Sequence, residues 1–386
     1  MIETINVYED LEGESSLSNH KKVTWLELFY DLIYVVAVSI TIHVLGHSHE
    51  GHVSWDEIIK YPLIFFPLWW AWTGFTVYVN RYGEDNTHQR LVYIVQMLFV
   101  ILMSASISTN FNANYLPFLI GYVGIRLTTV YMYGRVWLKR HHSSAISSYL
   151  AKGFFIGALI SFSSVFFPGD WKFIVLYLGI LIDILLPLLG RRILKKHPVQ
   201  NHHLLERFGL ITIILLGECI LNIVTTVREV PITTEVVVAG LLGFILAVSI
   251  WWHYFESSEE TVGENCNGPG HAIIYGHLFV YMSLGILANV IRYGINHELE
   301  LRQYAEFAMA GVVLYLVATG FIFNVHSKGG LNPKKKWLFF YIASVLIVSS
   351  CLLILPNVIS VLSGTVVLIV GYTVYSRLRF RKLNNS

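Results

Sequence analysis

Glu27 and Asp31 stand four residues apart in a run that is otherwise mostly apolar, so a helix places both carboxylates on one face. Like charges at that spacing repel. The pair calls for a bound cation, a shared proton or a basic partner, and Arg207, Arg81, His253 and His277 are expected at similar depth. Glu27 alone also reads as a first-turn charge favourable to the helix dipole. Asp31 lies one turn too deep for that. Arg126, Asp183 and Glu218 each fall about midway along other apolar runs. A charge at such a place costs about 2.5 to 3.5 kcal/mol on insertion scales, so each needs a partner or a hydrated path. One guanidinium among two carboxylates can pair with either Asp183 or Glu218 and leave the other acid to exchange a proton; a buried ion pair that only fixes helix register is the structural alternative. His253 and His277, nearer the interior than the other imidazoles, suit a proton relay near neutral pH or a hydrogen-bonded structural role.

Other groups carry weaker signals. Of 16 histidines, His43, His47, His49 and His52 cluster at the end of the first apolar run and in the loop after it. Ligating Zn or Cu requires convergent geometry and usually a fourth ligand, so the cluster reads as a solvated polar loop, and no metal or other cofactor is expected. His141-His142 and His202-His203 flank basic stretches and read as headgroup-level side chains. Glu256, Glu259, Glu260 and Glu264 read as an acidic, solvated loop or a cation-attracting vestibule. Cys219, Cys266 and Cys351 are too widely separated for a disulfide framework or a thiolate metal site. The GxxxxGK[ST], HExxH and GxSxG patterns are absent, and no catalytic residue is assigned.

The elements that must position these residues are membrane-spanning helices. Of 386 residues 55% are hydrophobic and only 13% charged, with a mean hydropathy of +0.58, against about a quarter charged in soluble domains. With 27 basic and 25 acidic residues the net charge of +2 is too even to suggest a nucleic-acid partner. Residues 1–22 are polar and acidic, without the basic head and cleavage site of a secretory signal. Apolar segments fall near 24–46, 58–80, 90–110, 115–138, 148–167, 171–190, 205–228, 233–255, 271–293, 304–324, 337–355 and 357–376. That spacing predicts twelve spans. On this cutting, 21 of the 27 Lys and Arg residues fall on the side of the N-terminus, 5 fall on the other, and Arg126 lies within a span. By the positive-inside rule both termini then face the cytoplasm. Trp25-Leu26-Glu27-Leu28-Phe29 finds an echo in Leu204-Leu205-Glu206-Arg207-Phe208, and Leu98-Phe99-Val100 one in Leu278-Phe279-Val280, at an offset of about 180 residues. Such an echo predicts two parallel six-helix repeats related by an axis along the membrane normal, with the first and seventh helices facing each other there.

Four motifs occur in order along the chain: Trp25-Leu-Glu-Leu-Phe-Tyr-Asp-Leu-Ile-Tyr-Val; Trp69-Trp70-Ala71-Trp72 leading to Asn80-Arg81-Tyr82; Glu206-Arg207-Phe208-Gly209-Leu210 followed by Leu216-Gly217-Glu218; and Trp251-Trp252-His253-Tyr254-Phe255. Together they resemble the bacterial low temperature requirement protein A (LtrA) family over roughly residues 20–380. The resemblance implies a polytopic inner-membrane protein associated with growth in the cold; it assigns no reaction and no substrate. Phe29-Tyr30-Asp31 in a first helix is also distantly similar to the Phe-Ser-Asp motif of endolysosomal two-repeat potassium/proton channels. Here Tyr30 replaces the serine and Phe208-Gly209-Leu210 lacks the aspartate, which tells against a potassium pore.

The expected fold is all-α and polytopic: a polar segment 1–22, six-helix repeats at 23–190 and 205–376, a basic linker 191–204 and a basic tail 377–386. The expected place is the bacterial cytoplasmic membrane, with lipids and an unidentified ion or small solute as partners and no nucleic acid. The expected function is movement of that ion or solute, coupled to or gated by protons, along a path near Glu27, Asp31, Arg126, Asp183, Glu218, His253 and His277. Its rivals are a membrane-embedded lipid-binding protein or enzyme, and a structural or sensory protein for cold bilayers.

Overall fold

A computed structural model describes residues 23–108, 111–139, 144–196, 198–262, 270–325, 335–354 and 357–384. The described chain is a succession of helices: α1 (Trp25–Val44), α2 (Trp55–Tyr82), α3 (Thr87–Ala105), α4 (Tyr115–Leu138), α5 (Ser144–Ser163), α6 (Trp171–Leu189), the short α7 (Arg191–Leu194), α8 (Asn201–Glu229), α9 (Thr234–Val262), α10 (His271–Asn296), α11 (Leu301–Val325), α12 (Lys335–Ile354) and α13 (Val358–Asn384). Ten of them are long and apolar enough to cross a membrane. The other two of comparable length are α12 and α4, the latter diluted by Arg126, Thr128, Thr129 and its tyrosines. Leu98, Val317 and Val367 are each more than 60% exposed, an apolar surface that hydrocarbon would cover.

Local chemistry sets the helix starts. Thr24 and Ser54 form capping boxes with Glu27 and Glu57, each hydroxyl accepting from the glutamate N–H while the carboxylate reaches back. Pro62 and Pro67 lie within α2 without ending it. Three helices run past their apolar segments. α8 begins at Asn201, inside the stretch expected to be a basic linker, because nothing from Asn201 to Glu206 breaks a helix. α9 continues to Val262, which puts Glu256 and Glu259 on a helix where a loop was expected, with Glu256 ion-paired to Arg377. α13 carries the basic tail as helix to Asn384. Glu264, Cys266, His141, His142 and the segment 1–22 lie outside the described residues.

Within the first half, α3 packs on α4, α4 on α5 and α5 on α6; in the second, α8 packs on α10, α10 on α11 and α9 on α13. Across the halves α1 and α2 both meet α8 and α10. The first and seventh long helices, α1 and α8, are therefore in contact. The most enclosed helices, however, are α2 and α10, with 78% and 83% of their apolar windows buried. Each packs on several neighbours, α2 on α1, α4, α8 and α10, and α10 also on α9, α11 and α13.

At the end of the bundle away from Arg81 and Arg135, main-chain acceptors tie the halves together. Asn289 Nδ2 donates to Ile42 O (2.9 Å) and Tyr293 OH to Leu45 O (2.7 Å). Val53 exchanges two hydrogen bonds with the Gln303 amide (2.9 and 3.0 Å), and Glu300 N–H donates to Gly51 O (2.8 Å).

Close approach of α5 and α6 depends on small residues, as in many membrane helix pairs. A Cβ on Gly179 would sit 2.6 Å from both Gly157 O and Ser161 N. Backbone cannot step aside, so Gly179→Ala should destabilise the protein by about 1–3 kcal/mol. Equilibrium unfolding in mixed micelles checks this, with Gly371→Ala, where an added Cβ meets nothing within 4 Å, as the control.

Candidate functional site

Asp31 and Glu27 point from α1 into the contact with α8, where Arg207 lies between them, fully buried. Its Nε donates to Asp31 Oδ2 (3.2 Å), its Nη2 to Asp31 Oδ1 at short range, and its Nη1 to Glu27 Oε2 (3.3 Å). The second Asp31 donor is Trp72 on α2, Nε1 to Oδ1 at 2.7 Å. Arg207 also faces the rings of Phe75 and Trp72, 5.3 and 5.7 Å from their centroids. The Glu27 carboxylate is shared: one oxygen caps Thr24, the other meets Arg207 and His203 Nε2 (3.3 Å). His203 Nδ1 lies 3.2 Å from Asn80 Nδ2, and the Asn80 amide is fixed by Gln200 N–H and C=O (2.9 and 3.0 Å).

This constellation is reached because three elements converge. The i, i+4 spacing sets the carboxylates on one face of α1, and the early start of α8 puts His203 and Arg207, also four apart, on one face opposite. Of the four partners considered for the acids, Arg207 fills the role. His203, read from sequence as a headgroup-level group, is instead 1% exposed with Nε2 3.3 Å from Glu27 Oε2, because residues 201–204 are helix and not linker. Trp72 and Asn80 were visible only as members of a motif.

Arg126 pairs with Asp183 and not with Glu218: Nε donates to Oδ2 at 2.8 Å, and Tyr122 OH donates to the same oxygen at 3.1 Å. The guanidinium also stacks on Phe154, 4.2 Å from the ring centroid. Both groups are 0% exposed, yet Arg126 Nη1 and Nη2 and Asp183 Oδ1 have no hydrogen-bond partner among the described residues. Glu218 is buried on α8 and forms no ion pair among the described residues. It shares the depth of Arg126 but not its direction.

The two interior histidines lie in the second half, each against a tyrosine: His253 Nδ1 is 2.8 Å from Tyr315 OH, and His277 Nε2 is 2.7 Å from Tyr254 OH. His277 Nδ1 donates to Ile273 O (2.6 Å), which leaves its Nε2 to accept from Tyr254 in the neutral imidazole. Phe208 lies between His277 and Trp72, with ring centroids 4.5 and 4.9 Å away. One aromatic layer thus separates His277 from the Asp31 network. The histidines at the opposite end do not converge, His49 facing Glu57 (3.4 Å) and His52 facing Glu300 (3.6 Å). Among the described residues no group of three or more metal-ligating side chains forms.

The Asp31 network sets two carboxylates against one permanent cation, Arg207, and one imidazole, His203. Two carboxylates against one guanidinium carry an excess negative charge, which a proton on His203 or on a carboxyl cancels. A buried uncompensated charge is costly, so the site favours taking up that proton or a cation. A cavity of about 20 Å³ beside Glu27 is lined also by Thr24, Glu84, Asp85 and Arg90. At its mouth Arg90 grips Asp85 through two bonds (2.7 and 2.8 Å) and holds that exposed carboxyl below its ordinary range.

A family model described as bacterial low temperature requirement A protein (LtrA) matches residues 22–373, which include every site residue named above. An uncharacterized protein of Rhizobium meliloti (strain 1021) is 24% identical over 334 residues, which cover 81% of this chain and 79% of the relative.

Proposed function

The chain belongs to the bacterial low temperature requirement A family, and from that premise we propose that it moves an ion or small solute across the bacterial cytoplasmic membrane, coupled to or gated by protons. The observation that carries this reading is the buried Glu27–Asp31–Arg207–His203 network, which joins the two halves and holds two carboxylates against a single permanent cation. Uptake or release of that charge changes what Arg207 binds, and with it the contact between α1 and α8. Asp183 with Arg126, Glu218, His253 and His277 are assigned as further polar stations of the path, each buried within a helix. The reading includes twelve spans in two parallel repeats, residues 23–190 and 205–376, with both termini cytoplasmic. The 21-to-5 distribution of Lys and Arg supports this orientation.

The test is flux in proteoliposomes, screened for protons, potassium, sodium and small anions. Asp31→Asn leaves Arg207 one carboxylate, Glu27, so the fold should survive, while flux should vanish or lose its dependence on pH. Glu27→Gln, which keeps the deeper acid, should have a milder effect. Unchanged flux and an unchanged pH profile in Asp31→Asn, or no flux of any species in the wild type, would overturn the proposal.

A further inference from the structure

Two cavities at the basic end share one wall, and that wall is Arg81. The larger, about 530 Å³, is within the size range of small-molecule sites and is bordered by the cations Arg81, Arg135 and Lys139 with one acid, Glu84. None of the three cations has a carboxylate at ion-pair distance among the described residues; Arg135 instead contacts His88 Nδ1, and Glu84 accepts from Asn86. The smaller cavity, about 30 Å³, lies behind Arg81 along one face of α2, where Trp70, Thr73, Gly74, Val77 and Arg81 follow a helical repeat. Four of its wall atoms are buried without a hydrogen-bond partner among the described residues: Trp70 Nε1, Thr73 Oγ1, Arg81 Nε and His271 Nε2. The first and third are N–H donors only, and the other two can donate.

Of these four residues only Arg81 also borders the larger cavity, and its buried, unsatisfied Nε beside Arg135 and Lys139 asks for acceptor oxygens there. We propose that the larger cavity binds a phosphate-class anion, either free or as the headgroup of an anionic lipid, held by Arg81 and Arg135 with Lys139 at the rim. Arginine suits this role because its planar fork of donors matches phosphate oxygens. Placement at the end of the bundle, where a headgroup and a soluble anion both have access, fits either source. Glu84, the acid on the border, is itself held by Asn86 Nδ2 at 2.8 Å. The site adjoins the Asp31 network through Asn80 and Gln200, which line the cavity, but shares none of its charged groups and does not depend on transport.

The experiment measures thermal unfolding of the full chain in phosphatidylcholine nanodiscs titrated with inorganic phosphate, and in nanodiscs with increasing phosphatidylglycerol. A ligand that binds only the folded state raises the unfolding temperature saturably. Saturable stabilisation by phosphate assigns a free anion; stabilisation by phosphatidylglycerol alone assigns a headgroup. Arg81→Gln and Arg135→Gln should each weaken the response about tenfold, as loss of a hydrogen bond from a charged donor does. Lys196→Gln, exposed at the same end but outside the cavity, should respond as the wild type. Lys139→Gln, exposed at the rim, should weaken binding without touching the packed wall, so a folding defect in the arginine variants leaves the test intact. No saturable stabilisation by either ligand, or an equal response in Arg81→Gln, Arg135→Gln, Lys139→Gln and wild type, overturns the proposal.

Discussion

Arg207→Leu should lower the stability of the protein by about 3–5 kcal/mol, because it leaves Glu27 and Asp31 buried on one helical face with no guanidinium between them. The loss is the cost of stranded charge more than of a missing bond. Neutralising the acids should therefore recover much of it: Arg207→Leu combined with Asp31→Asn and Glu27→Gln should unfold nearer the wild type than Arg207→Leu alone. Equilibrium unfolding in mixed micelles measures all three proteins. Trp72 supplies an internal probe, since its indole N–H bonds to Asp31 and its emission should shift when that carboxylate loses Arg207. A triple variant no more stable than the single would show that Arg207 acts through its packing on Trp72 and Phe75 and not through its charge.

The second large effect concerns Arg126. With Asp183 as its ion-pair partner, Arg126→Leu should also cost about 3–5 kcal/mol, and Asp183→Asn should restore much of that loss in the double variant. Glu218→Gln should restore none, since Glu218 makes no ion pair there. The double-mutant cycle reads this as a coupling energy for Arg126 with Asp183 and none for Arg126 with Glu218. Rescue by Glu218→Gln would mean that the helices carry a different pairing in the membrane.

The contrast between these two arginines shows what is legible in such a sequence. Depth is readable, because a residue's position along an apolar run sets its height in the bundle; Arg126, Asp183 and Glu218 are all buried at interior positions. Azimuth is not. Which way a side chain points depends on how helices pack, and several faces of a membrane helix are apolar whether they meet lipid or protein. Spacing within one helix was fully informative for Glu27 and Asp31, because i, i+4 is a property of the helix itself. Arg207 entered among the possible partners through its place near the start of the second half, but choosing it over Arg81, His253 or His277 needed the contact of α1 with α8. His203 was misplaced because helix onset is harder to read than helix presence: two histidines after a basic, proline-containing stretch look like loop, whereas Asn201 to Glu206 continue α8. Trp72, the nearest neutral donor to Asp31, carries no sign in sequence that its indole faces an acid.

The ties between the halves differ in kind at the two ends of the bundle. Opposite the basic end the buried and part-buried ones are neutral side chains bonded to main-chain groups, Asn289, Tyr293 and Gln303 to Ile42, Leu45 and Val53, none of which gains or loses charge between pH 5 and 8, and the one titratable contact there among the described residues, His52 with Glu300, is exposed. Toward the basic end they include Arg207 and His203 on Glu27 and Asp31, where one proton changes the balance of attraction. The neutral ties at the far end are therefore indifferent to pH, and on the proposed proton-gated reading a proton taken up by the buried charges would act first on the contact of α1 with α8, with the Asn289, Tyr293 and Gln303 bonds left as the fixed end.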